Sequence, residues 1–106
     1  MTALERAVLD RFKALVNART PLHQMFVFGS RARGDADPDS DLDVVVILEN
    51  SSSQESHNLV SECAWEAGFD QGMVIVPVVF SRDEWENGPE RSSLLAQAVD
   101  REGIAI

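Results

Sequence analysis

Tyrosine is absent from this chain, cysteine occurs once and histidine twice in 106 residues. The single Cys63 excludes an internal disulfide and fits a reducing compartment, so a cytoplasmic location is expected. With no Cys/His cluster there is no case for zinc, and His23 and His57 read as surface or loop residues. Bases are scarce as well: 9 Lys and Arg stand against 18 Asp and Glu, for a formal net charge of −9. A surface so acidic, with aromatics at 7%, offers neither a phosphate-binding footprint nor a stacking platform, so direct nucleic-acid binding is not expected. No apolar run approaches the roughly 18 residues needed to span a bilayer, and the mixed-charge N-terminus lacks a signal-peptide core. No membrane association is expected.

What remains is 44% apolar residues, enough for one core, so residues 1–106 are expected to form a single domain. Helix and strand signals alternate. Thr2-Ala-Leu-Glu5 has capping-box spacing, and Leu4, Val8, Phe12 and Leu15 recur on one helical face until Thr20-Pro21 stops the helix. Gln24 to Phe28 reads as a short strand ending at Gly29. Residues 30 to 41 hold turn residues and at most one short helix near Ser30. Leu42 to Leu48 is a nearly unbroken Val/Ile/Leu run, as in a strand covered on both faces. After a loop from Asn50 to Ser53, a helix over Gln54 to Ala67 turns Leu59, Val60, Cys63 and Ala67 inward, with Gly68 as its C-cap. Met73 to Phe80 is a third strand. Pro77 cannot donate a ladder hydrogen bond, which puts this strand at a sheet edge. Ser81-Arg-Asp-Glu84 is a second capping box, opening a short helix that ends before Gly88-Pro89. A last helix over Glu90 to Arg101 buries Leu94, Leu95, Ala98 and Val99, and Ile104 to Ile106 adds a small strand. Trp65 and Trp85 suit either the core or a partner surface, and core packing is the expectation. The fold class is therefore α/β (α+β): a small mixed β-sheet of about three core strands with helices packed on it.

The chemistry concentrates in residues 29 to 43. Gly29-Ser30 follows a strand, and glycine lets an anion approach the main chain closely while amides at a helix start point toward it. By itself that pair reads more simply as a strand-to-helix turn capped by serine. Asp41 and Asp43 are two apart on a strand, so both carboxylates face one space with Leu42 turned to the core. Two like charges that close call for a cation. The competing reading is a solvated strand end with cap aspartates. Arg31 and Arg33 lie in the same turn and suit either phosphate oxygens or the neighbouring aspartates. Asp35, Asp37, Asp39 and Asp41 alternate as in a calcium loop, but Ser40 and Val46 stand where that loop needs glycine and glutamate. Arg33-Gly34-Asp35 spells an adhesion tripeptide by chance. A phosphate-holding turn beside two acids suggests a site for a metal-bound nucleoside triphosphate.

Gly29-Ser30-Arg31-Ala32-Arg33-Gly34, followed by Ser40-Asp41-Leu42-Asp43 before a Val-rich strand, resembles the signature of the minimal nucleotidyltransferases of the DNA polymerase β-like superfamily. The resemblance implies that Gly29, Ser30 and Arg33 hold the triphosphate of ATP and that Asp41 and Asp43 bind Mg²⁺ and act in catalysis. One departure stands out. Family members usually carry a third acid on the strand after the central helix. Here Val74 occupies about that place, with Asp70 before the strand and Asp83 after it as the nearest carboxylates.

A chain of this length leaves little room for an acceptor pocket. The resemblance implies transfer of AMP from ATP to a hydroxyl of a partner protein, with the chain as antitoxin of a toxin–antitoxin pair and a small helical HEPN-type protein as partner. The missing third acid supports the alternative: a catalytically weak or inactive module that neutralises its partner by contact. An oligomer is compatible with the sequence. Modification of a small molecule such as an aminoglycoside fits less well, because the second domain usual in such enzymes is missing.

Overall fold

The structure is a computed structural model, and it describes residues 1–29, 41–50, 53–89 and 93–106. Helix α1, Ala3–Arg19, opens on the expected capping box: the Glu5 amide donates to the Thr2 hydroxyl and the Thr2 amide to the Glu5 carboxylate. It ends at Thr20, whose amide donates to the Val16 carbonyl. Strand β1, Leu22–Phe28, starts two residues before the apolar pattern suggested. Strand β2, Leu42–Leu48, and helix α2, Gln54–Phe69, follow. Strand β3, Ile75–Ser81, runs directly into helix α3, Arg82–Asn87, through the second capping box, in which the Glu84 amide donates to the Ser81 hydroxyl. Helix α4, Leu94–Glu102, and the two-residue strand β4, Ile104–Ala105, complete the described elements.

The four strands form one mixed sheet in the order β3-β2-β1-β4. β1 pairs antiparallel with β2, and β2 pairs parallel with β3, reached through the α2 crossover. β2 is the pivot, because it has strands on both sides and helices on both faces. From Val44 to Leu48 every residue is buried. Leu42, Val44, Val46 and Leu48 face α1 and α2, packing with Leu9, Phe12, Val60 and Cys63. Val45 and Ile47 face the other way, with Phe80, Trp85, Ala96 and Val99. The period-2 pattern of a strand thus serves two separate cores.

β3 lies at the sheet edge, as Pro77 demanded. The register explains how proline is accommodated. The Leu42 amide donates to the Val74 carbonyl at 2.8 Å, and in a parallel ladder alternate residues then turn their polar groups to the neighbour. Val74, Val76 and Val78 therefore bond toward β2, while Ile75, Pro77 and Val79 present theirs to the open edge. Pro77 costs the ladder nothing and removes one donor from an otherwise exposed edge.

Several expectations are corrected. Leu4 is exposed, and Leu9 and Val16 take its place in the core because the buried stripe of α1 is rotated from the Leu4–Leu15 line. Leu94 is 83% exposed and Ala96 is buried instead, since α4 begins only at that leucine. Residues 90–92, where that helix was expected to start, lie outside the described residues. Gly68 lies within α2. It accepts from the Gln71 and Met73 amides, and the positive φ of the turn falls on Gly72 at 64°. Trp85 is buried as expected, whereas Trp65 is 66% exposed. His23 lies in β1 beside Glu49, not in a loop.

Phe12 is fully buried at the centre of the α1 layer. Phe12→Ala should lower unfolding stability by about 3–5 kcal/mol, measured by urea denaturation. A loss of less than about 1 kcal/mol would show that α1 does not seal this core.

Candidate active site

Gly29 and Asp43 meet where β1 leaves the sheet and β2 enters it. Phe28 and Asp43 are directly paired in the antiparallel register, so Gly29 stands beside the aspartate. Gly29 has φ of 80°, in the region that disfavours a Cβ. A Cβ built there would lie 2.8 Å from Asp43 Oδ2. The absence of a side chain at Gly29 therefore does two things: it permits the turn, and it keeps the carboxylate's flank open.

Asp43 points to the sheet face covered by α3 and α4, the face of Val45 and Ile47. It sits one rung beyond the part those helices cover and is half-buried, whereas Asp41 is exposed. Between them Leu42 is fully buried among α1 and α2. Partial burial, reinforced by the charge of Asp41, raises the Asp43 carboxyl above the usual aspartate range. The electrostatic coupling means that the two acids address one region.

Across from Asp43 on β3 stands Val76, and the amide of Leu42 bonds the carbonyl of Val74. The position on β3 that shares a rung with Asp43 is therefore Val76, two residues after the one the sequence suggested, and it is equally apolar. Neither flanking acid replaces it. Asp83 lies on α3 beyond Ser81, which pairs with Leu48 at the far end of β2, roughly 16 Å along the strand from Asp43. There Asp83 accepts a hydrogen bond from Asn87. Asp70 follows α2 and borders Leu4, Ala7 and Arg11 of α1, on the opposite face of the sheet. Among the described residues no three His, Cys, Asp or Glu side chains gather as a metal site. Ser30, Arg31 and Arg33 lie outside the described residues.

Asp43, with the charge of Asp41 acting on it, suits a small divalent cation that completes its shell with water and phosphate oxygens. The glycine cradle beside Asp43 leaves space for an anion at the main chain. Chemically, the arrangement suits a metal–polyphosphate, and among the described residues no third carboxylate stands on the neighbouring rung of β3.

Comparison with known proteins agrees with this geometry. The sequence model of a family described as nucleotidyltransferase domain matches residues 6–100. A structure assigned as a minimal nucleotidyltransferase superposes with a TM-score of 0.62 at 28% identity, covering 99% of this chain and 97% of that one. A toxin–antitoxin complex solved with AMP-PNP gives 0.64 at 20% identity, covering 91% and 69%. A tri-AMPylated HEPN toxin of Shewanella oneidensis in complex with an MNT antitoxin gives 0.54 at 16% identity, covering 96% and 70%. At these identities the two complexes share the fold with this chain. No curated protein matches the chain.

Two variants test the local physics. Gly29→Ala should cost about 1–2 kcal/mol in urea denaturation, because it strains a positive φ and presses on Asp43. The raised Asp43 carboxyl means that the folded chain holds that proton more tightly than the unfolded chain does. Its ionisation therefore erodes stability as pH rises from the ordinary aspartate range through the raised value. Asp43→Asn should raise the melting temperature of the cation-free protein at neutral pH and leave it nearly unchanged near about pH 3, where both states are protonated. A variant less stable than the parent at neutral pH would refute this account.

Proposed function

This chain belongs to the nucleotidyltransferase domain family, and from that premise we propose that it transfers AMP from ATP to a hydroxyl of a partner protein. The observation that carries the proposal is the adjacency of Gly29 and Asp43, with Asp41 coupled to it, at one end of the central strand. Asp41 and Asp43 would hold Mg²⁺, and Gly29, Ser30 and Arg33 the phosphates. The whole chain is proposed to act as one domain.

The donor set fits the ion. Both ligands are carboxylates, and the pair is destabilised by its own charge and partial burial, which a cation relieves. When bound, Mg²⁺ would neutralise phosphate charge and help stabilise the transition state. The chain's own residues bind and orient: Gly29 admits the phosphates to the main chain, and the aspartates set the position of the nucleotide. In the transfer, the acceptor oxygen would bond to the α-phosphorus, the bond to the bridging oxygen would break, pyrophosphate would leave, and the hydroxyl proton would pass to water.

The fold shared with toxin–antitoxin complexes makes a HEPN-type protein the first candidate for the acceptor. The chain would then serve as the antitoxin of such a pair, in the cytoplasm. A second reading rests on Val76. With an apolar residue across from Asp43, proton removal from the acceptor has no carboxylate on β3. Lack of a general base typically slows a reaction roughly 10²–10⁴-fold. In this second reading the chain neutralises its partner by contact and transfer is slow or absent.

Incubation with a HEPN-type partner, Mg²⁺ and ATP labelled in the α-phosphate distinguishes the two. Transfer should label the partner, and Asp41→Ala with Asp43→Ala should reduce labelling to background. Equal labelling by the double variant would refute the assignment. Neutralisation without label, retained in the double variant, would establish the contact reading. Mg²⁺ alone should also raise the melting temperature of the parent and not of Asp43→Asn.

A further inference from the structure

Among the described residues, an exposed apolar surface lies between α2 and the open edge of β3. Trp65 and Phe69, four residues apart on α2, stack with ring centroids 4.5 Å apart and are 66% and 62% exposed. Facing them across the groove are Val74, Ile75 and Pro77, with Val74 59% exposed. The cavity between measures about 530 Å³. Isolated exposed apolar residues need no explanation, but a stacked aromatic pair walling an apolar groove is the signature of a docking site.

We infer that this groove binds a basic amphipathic helix of a partner protein, seating the helix's apolar ridge between Trp65, Phe69 and β3. Two observations choose this occupant. The first is charge. Residues 54–81, which build both walls, contain Glu55, Glu62, Glu66 and Asp70 and not one Lys or Arg. Arg19 bridges to Glu62 at 3.0 Å, and the exposed Glu66 directly follows Trp65, while Asp70 turns toward α1. A Lys- or Arg-flanked helix is complementary to this rim, whereas a second copy related by a two-fold axis would set acid against acid. The second is the strand edge. An added strand needs an unbroken row of edge donors, and Pro77 breaks the row between Ile75 and Val79. The groove is thus read through side chains, which is how a helix docks.

Its position gives the surface a purpose. Val74 lines the groove, and its carbonyl accepts from the amide of Leu42, the residue between Asp41 and Asp43. The groove opens on the α2 face of the sheet and Asp43 points to the other, so a protein held there reaches the aspartates only around the β3 edge. That the docked protein is the acceptor rests on the proposed transfer; the docking itself does not.

The test is calorimetric titration of the full chain with a synthetic helical peptide carrying leucine on one face and lysine on the other. Saturable binding is expected, weakened roughly 30-fold by Trp65→Ser with Phe69→Ser. Both residues are exposed, so circular dichroism should show the fold intact. A scrambled peptide of the same composition, and a leucine/glutamate peptide, should not bind. Asp41→Ala with Asp43→Ala should bind as the parent does, so loss of AMP transfer with docking intact sinks only the transfer reading. Equal binding of the scrambled or the acidic peptide overturns the inference. So does unchanged affinity in the Trp65/Phe69 variant. Self-association in sedimentation that this variant abolishes would assign the groove to a second copy and overturn it as well.

Discussion

Everything at the proposed site depends on the register of β2. The strand is buried on both faces, so its side chains have no neutral alternative arrangement. A slip of one residue would carry Asp43 into the layer of Phe12 and Val60 and expel Val44 from it. Burying an unpaired carboxylate there is far costlier than the few kcal/mol that separate folded from unfolded chains. The apolar core thus aims the aspartate. Antiparallel pairing with β1 then brings Phe28 opposite Asp43 and delivers Gly29 to the carboxylate. Hydrophobic packing, which recognises no ligand, is what holds the two polar features together.

The parts of the fold that were legible in the sequence are those where one residue type has one physical solution. Both capping boxes formed as spaced, and the Val/Ile run became the central strand. Pro77 located the sheet edge without any knowledge of the sheet. The misreadings share a cause: they concern which of several apolar residues a helix buries, and that depends on what the helix packs against. Leu94 and Trp65 are apolar and lie outside the core, because α4 starts too late and α2 presents that face to no other element described. Periodicity reports that a face exists, not that something covers it.

The adjacency of Gly29 and Asp43 follows from the strands: two neighbouring strands bring them together, and those strands were visible as apolar runs. The rung opposite was not. The sequence put Val74 about where a third acid was expected; the parallel register sets Val76 level with Asp43 and Val74 just before it, beside Leu42, and both are apolar. Inter-strand register depends on the crossover through α2 and the turn at Gly72, and neither is written in local pattern. The elimination of Asp70 and Asp83 likewise needed the sheet: one lies on the wrong face and the other at the wrong end.

That elimination changes what the fold must be doing. A chain that gathers two acids at a strand end bears a continuous cost, which appears as the raised Asp43 carboxyl. Nothing in the packing requires Asp43, since a neutral residue at that rung would spare the charge. A carboxyl raised first by burial and then by a like charge, at a strand end beside a glycine turn, marks a candidate ligand site. Yet the strand alongside, β3, offers only valines on the same face, at Val76 and Val78, before Phe80. Among the described residues the site therefore gathers charge and has no carboxylate on β3 to take a proton. Under the proposed transfer, the hydroxyl would have to arrive already oriented and with its proton provided for. The open β3 edge and the groove of two aromatics lie on the α2 side of that strand. The apolar β3 thus turns one face to the aspartates without a proton acceptor and the other to the groove in which a further protein is proposed to dock.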